Sequence, residues 1–142
     1  MTHLFPCILF VLMCGTSYAA FTVTCPLNYS PITVGSCVRY NQILCNTANE
    51  YDVSTGIFTV QTNGTYSISV SMMSGMLTSH LTLRKLGISS TYMVWLYTGT
   101  NYNMASQTIN CELVVGDTMC VYAQSGSSLF SVYNTFTAVR IS

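Results

Sequence analysis

Site chemistry starts with side chains that ionise, ligate or attack, and this 142-residue chain carries few: four Asp and Glu, four Lys and Arg, and two His. The acids are Glu50, Asp52, Glu112 and Asp117, and His80 is the one histidine beyond the first few residues. Any acid/base pair would have to come from these. Glu50 and Asp52 stand two apart and could share a strand face, but an Asp here more simply caps its own turn through a side-chain to backbone bond. His80 lies opposite Leu81 and Leu83 in an alternating run and reads as a solvent-facing strand residue. No Ser sits in a Gly-x-Ser-x-Gly elbow, and the many Ser read as polar strand faces. No catalytic set emerges, so no enzyme is expected.

Seven cysteines remain as chemistry. Cys7 and Cys14 fall in an N-terminal leader, described below, and leave Cys25, Cys37, Cys45, Cys111 and Cys120, an odd number. None forms a Cys-x-x-Cys pair, and an oxidising compartment favours disulfides over structural zinc. No metal or other cofactor is expected; calcium stays open, although hard oxygen sites want about six to eight ligands and four carboxylates serve that poorly. Cys111 shares a strand face with Ile109 and Leu113, whereas Cys120 lies opposite Met119 and Val121, so the two should not bridge and Cys111 is expected as a buried thiol. Pairing is expected among Cys25, Cys37 and Cys45, whose intervening loop is short enough to close, with the third reaching Cys120 or another subunit.

The zero net charge lacks the basic footprint of nucleic-acid binding and any basic stripe for anionic lipid. So weakly charged a surface needs glycans, Ser/Thr/Asn-rich faces or burial in an oligomer to stay soluble. Two sequons, Asn28-Tyr29-Ser30 and Asn63-Gly64-Thr65, fall on predicted turns where a glycan would be exposed. Tyr92, Trp95 and Tyr97 make an aromatic-rich strand, with Tyr102 in the next loop. Such rings can stack on sugars, yet aromatics in a strand more often serve a core or subunit interface.

The elements that must position these residues are strands. Ten Tyr, abundant Ser and Thr, and few Lys or Glu favour β structure in one domain. Leu4–Met13 is an apolar run followed by Ser17-Tyr18-Ala19, small residues at the −3 and −1 positions of a cut after Ala19, as in a signal peptide spanning 1–19. The run is shorter than the roughly 20 residues of a membrane span. The mature domain is then 20–142, secreted and extracellular. Tyr66, Ile68, Val70 and Met72 alternate with Ser67, Ser69 and Ser71, the period of a half-buried strand. Ile57–Val60 precedes it, and Asn63-Gly64 suits a tight turn, predicting an antiparallel hairpin at the heart of the core. Further strands are predicted at Val38–Leu44, His80–Arg84, Tyr92–Tyr97 and Phe136–Ile141. Thr108–Val114 and Thr118–Tyr122 read as a second hairpin about Val115-Gly116-Asp117.

Tyr51, Asp52, Thr55, Gly56, Phe58 and Thr59, followed by Gly64 and Tyr66, fall on a pattern that resembles the signature of the complement C1q globular-head family. Ile68 stands where an aromatic is usual, Asn63 where Pro is usual, Val60 where some members have Cys, Tyr40 for the usual Phe, and Ala138 for the usual Gly. Ala20-Phe21, Leu83-x-Lys85-x-Gly87, Gly116-Asp117 and Gly126-Ser127-Ser128-Leu129 also resemble family segments, so the likeness covers nearly the whole mature chain. It implies an all-β jelly-roll β-sandwich, C1q/TNF-like, of about ten antiparallel strands, normally assembled as trimers. No Gly-x-y repeat precedes the domain, so the reading is a head without a collagen stalk. The resemblance implies a secreted homotrimer that recognises extracellular carbohydrate or protein ligands, such as microbial or self glycans, without catalysis. A structural component of matrix, mucus or a mineralised layer is the alternative from another class, and a tumour-necrosis-factor-like receptor ligand comes third.

Overall fold

The computed structural model describes residues 19–87 and 90–142; all but the last residue of the expected leader, with Cys7 and Cys14, lies outside the described residues. Twelve strands follow in order: β1 (Ala20–Thr24), β2 (Tyr29–Pro31), β3 (Gln42–Asn46), β4 (Tyr51–Asp52), β5 (Ile57–Thr59), β6 (Gly64–Met73), β7 (Ser79–Lys85), β8 (Thr91–Thr98), β9 (Met104–Leu113), β10 (Thr118–Ser125), β11 (Ser128–Phe130) and β12 (Thr135–Arg140). Ten of them form two five-stranded sheets, ordered β3-β1-β12-β6-β9 and β4-β5-β10-β7-β8, and β11-β2 makes a short ribbon. Neighbouring strands pair antiparallel.

Alternation decides what each sheet buries. On β6, Tyr66, Ile68, Val70 and Met72 point inward and the serines between them outward, as the sequence pattern requires. Facing them from the other sheet are Phe58, Leu81, Leu83, Leu96, Met119 and Val121, all buried. Phe21 is the hub, its ring 5.4 Å from Tyr51, 4.9 Å from Phe58 and 5.0 Å from Phe136. Each large apolar side chain buried here contributes about 1.5–3 kcal/mol, and aromatic pairing adds about 0.5–1.5 kcal/mol per contact.

Two expected hairpins and one expected strand are corrected. Ile57–Val60 and β6 do not form a hairpin: β5 pairs with β4 and β10, while β6 pairs with β12 and β9 in the opposite sheet. The segment between them crosses the sandwich, so Phe58 and Tyr66 meet across the core with ring centroids 5.7 Å apart and planes tilted by 57°. Two strands with one apolar face each cover one another best from opposite sheets. Asn63 and Gly64 keep negative φ; Gly64 is required because a Cβ would run into the Ser142 carbonyl and the Arg140 side chain. The Gly116-Asp117 turn, with Gly116 at φ +93, likewise joins β9 to β10 across sheets and is not a hairpin within one. Val38–Leu44 is divided: Val38 N–H donates to the Val121 carbonyl (2.7 Å) beside β10, and β3 starts at Gln42 beside β1. Tyr51 pins that crossing, its hydroxyl accepting from Tyr40 N–H (2.9 Å) and donating to Tyr40 C=O (3.0 Å).

The cysteine pairing is corrected as well. The disulfide joins Cys37 to Cys120, 83 residues apart, and Cys25, Cys45 and Cys111 are free. Cys120 does lie opposite Met119 and Val121, hence outward; the segment before Val38 folds over that outward face and brings Cys37 to it. Backbone bonds from Ile32 to Ser127 (3.0 Å), Gly35 to Ala123 (2.9 Å) and Ala123 to Ser36 (3.0 Å) hold the segment there. Cys25 cannot join, because it sits at the end of β1 inside the core, where burial pushes its thiol up to about 11. Cys111, expected buried, is half-buried at the edge strand β9, and partial burial raises its pKa.

Candidate functional site

The motif residues turn out to be structural. Phe58 and Tyr66 are core; Tyr66 donates its hydroxyl to the Thr62 carbonyl (2.8 Å) and toward Glu50 Oε1 (3.5 Å). Gly56, at φ +76, abuts the Val38 backbone so closely that no Cβ fits. Asp52 caps its own turn, its Oδ1 accepting from Ser54 N–H (2.8 Å) and Ser54 Oγ–H (2.7 Å), and these bonds hold its carboxyl below the usual range. Thr55 Oγ1 accepts from Ile57 N–H at 3.3 Å in the same turn. Asp117 Oδ2 accepts from Val114 N–H (3.0 Å) and pairs with Lys85 (2.9 Å), which together lower its pKa. Glu50 is buried and takes a bond from Gln61 N–H (3.2 Å); burial raises its pKa despite that bond. A recess of about 410 Å³ opens beside Glu50 and Asp52, but one acid is committed to a buried network and the other to its turn.

Among the described residues no three His, Cys, Asp or Glu gather to hold a metal ion. Three of the four acids are bound up singly with Gln61, Ser54 and Lys85, and Glu112 by itself cannot supply the ligand set, so the residues present do not fit a calcium site of carboxylates.

The aromatic strand assembles into a surface. Tyr92, Trp95 and Tyr97, expected at a core or subunit interface, are 46%, 54% and 65% exposed in the chain. Strict alternation would place Tyr92 on the opposite face from Trp95 and Tyr97. A bulge prevents that: Leu83 pairs with Val94 but Arg84 pairs with Tyr92, so Met93 is the extra residue and Tyr92 swings to the outward face. Val94 and Leu96 stay inward.

The resulting rings are continuous. Tyr92 stacks on Trp95 at 5.0 Å and 18°, His80 lies 5.1 Å from Trp95, and Tyr97 closes edge-on at 6.3 Å from His80. Arg84, on β7, is inserted between Tyr92 (4.3 Å) and Tyr122 of β10 (3.5 Å), contacts that contribute about 0.5–2 kcal/mol each. Its Nη2 donates to Gln124 Oε1 (2.8 Å) and its Nε to Thr82 Oγ1 (3.0 Å), which fixes the guanidinium plane. The Cys37–Cys120 bridge adjoins this face, with Cys120 opposite Arg84 and Cys37 opposite Tyr122. A row of exposed rings edged by amide and hydroxyl groups, with the Tyr92–Trp95 pair stacked, can pack on the C–H face of a sugar and bond its hydroxyls. Sequence reasoning singled out the three rings but missed Arg84, Tyr122 and Gln124; their outward position in two alternating strands was the available signal.

Two antiparallel five-stranded sheets, linked by segments that cross from one to the other, define a jelly roll of the C1q/TNF kind. The C1q-domain family model matches residues 20–138, and the chain belongs to that family. The globular domain of zebrafish complement 1qA is similar in structure, with a TM-score of 0.74 and 18% identity over 89% of this chain and 98% of that one. Eiger TNF from S. frugiperda superposes with a TM-score of 0.72 at 14% identity, over 88% of this chain and 93% of its own. Murine APRIL gives 0.69 at 14%, over 88% and 100%. Identities this low show a shared fold alone. No curated relative matches the chain in sequence.

Proposed function

We propose that this protein is a secreted recognition head that binds carbohydrate on the Tyr92–Trp95–Tyr97 face, as a homotrimer and without catalysis. The observation that carries the reading is the row of exposed rings anchored by Arg84, which has no part in the core it overlies. Domains of this family typically form trimers and bind ligands, and three such faces on one assembly would convert weak contacts into avidity. The leader over residues 1–19 supports export. No described helix is long and apolar enough to cross a membrane.

A glycan array probed with purified protein tests the binding, and sedimentation tests the assembly. We expect binding to a restricted set of glycans by a trimer, reduced by Trp95→Ala. A protein that binds no glycan at high valency would overturn recognition and favour the matrix role, and a monodisperse monomer at micromolar concentration would overturn the assembly.

A further inference from the structure

The eight charged side chains of the domain are unevenly placed. Four segments at the end remote from residues 20 and 140, namely 25–34, 73–79, 99–107 and 124–134, contain no Asp, Glu, Lys or Arg. Strand pairing brings them together: Thr24 pairs with Thr135, Met73 with Met104, Ser79 with Thr98, and Ser74 bridges Leu129. This end exposes Leu27, Tyr29, Met76, Leu77, Tyr102 and Tyr133. An apolar, charge-free patch drawn from four loops is a marked departure for a secreted domain and calls for a cover.

A cover is written into its middle. Asn28 is exposed at φ 70, and its carbonyl accepts from Ser131 N–H at 2.7 Å, which sets it against the turn carrying Val132 and Tyr133. Its neighbour Tyr29 packs 5.1 Å from Phe130, bonds hydroxyl to hydroxyl with Tyr102, and fills the space over Gly75. Phe130 in turn contacts Tyr102 at 4.9 Å and Tyr133 at 6.4 Å. The one Asn of this end that stands in a sequon therefore adjoins, through Tyr29 and the Ser131 turn, a cluster of aromatic rings. The second sequon differs: Asn63 Oδ1 accepts from Val115 N–H at 2.8 Å at the opposite end of the sandwich, beside Arg140 and Glu112.

We propose that an N-linked glycan on Asn28 lies over the Tyr29–Tyr102–Phe130–Tyr133 cluster and shields the charge-free end of the sandwich from self-association. The sugar is joined to Asn28 Nδ2 by transfer from a lipid-linked oligosaccharide in the secretory route, the lipid pyrophosphate leaving and the amide losing one proton. Its proximal rings then stack on exposed aromatics while its outer hydroxyls face water. The inference rests on the export reading above.

The test is expression in a eukaryotic secretory host, glycopeptide mass spectrometry of the protein in the medium, and binding of a hydrophobic fluorescent dye. We expect Asn28 to be occupied. Ser30→Ala should lose that glycan, raise dye fluorescence and promote aggregation in sedimentation, whereas Ser30→Thr, which keeps the sequon, and Thr65→Ala should leave dye binding at the wild-type level. Enzymatic glycan release from folded wild-type protein should give the same dye increase without any folding step. Absence of the chain from the medium would sink the export reading. Secreted protein with Asn28 bare, or glycan release without a dye response, would sink the shielding alone. Binding of glycan-bearing wild-type protein to uncharged phosphatidylcholine vesicles would also overturn it, since the end would then be open to lipid.

Discussion

On the outward face of the β3-β1-β12-β6-β9 sheet, hydroxyls meet one another: Ser69 with Thr108 at 2.8 Å, Ser71 with Thr135 at 2.7 Å, and Thr137 with Thr22 at 3.1 Å. On the outward face of the partner sheet, rings meet a guanidinium, and Trp95 and Tyr97 remain more than half exposed. Both faces rest on the same core, and their strands alternate alike except where the Met93 bulge interrupts β8. The first pairs several of its hydroxyls with one another across strands; the second leaves apolar area and a fixed cation in reach of solvent. The fold is therefore indifferent to what its outer faces carry, and the residues outside the core set what each face offers to solvent.

The largest expected effect separates the two faces through the disulfide, which closes an 83-residue separation and adjoins only the aromatic face. Replacing both Cys37 and Cys120 by Ser should cost about 2–5 kcal/mol by loop-closure entropy. Urea unfolding with and without reductant measures it, and equal midpoints for variant and parent would break the comparison. Trp95→Ala comes next. It should weaken glycan binding by about 1 kcal/mol per head, roughly fivefold in affinity, while stability shifts by less than about 0.5 kcal/mol because the ring is exposed. A large stability loss with unchanged binding would return Trp95 to the structural role.

Ser71→Ala probes the opposite face. Ser71 Oγ serves Tyr133 C=O (2.8 Å), Thr135 Oγ1 and Thr135 N–H (3.2 Å), so its loss should cost about 1 kcal/mol of stability with no change in glycan binding. Any effect on binding would merge the two faces into one site. The smallest effect belongs to the buried acid between the sheets. Burial raises the Glu50 pKa above its ordinary value of 4.5. The folded state then binds the proton more tightly than the unfolded chain, so this contribution is present below pH about 4.5 and is lost as pH rises through the raised folded value. Thermal midpoints recorded across that window should fall less in Glu50→Gln than in the wild type, and parallel curves would dismiss Glu50 as the titrating group.

Some of this architecture was legible residue by residue. The Tyr66-to-Met72 alternation placed four side chains inward because side-chain direction along a strand is a local property of the backbone. The outward position of Cys120 and the self-capping of Asp52 followed from the same local rules. The signature from Tyr51 to Tyr66 pointed to the family that the match over residues 20–138 established.

What only the tertiary structure decided was partnership. A strand with one apolar face is served equally well by a neighbour in its own sheet or by a strand facing it across the core, and nothing local distinguishes the two. So β5 and β6, and again β9 and β10, separated into opposite sheets where adjacency and turn residues predicted hairpins. Cys37 met Cys120 because a loop folded over an outer face, a long-range event that short spacing argued against. The site itself turned on one bulged residue: Met93 shifts the register by one, and because the side-chain period is two, that single step carries Tyr92 to the face of Trp95 and Tyr97.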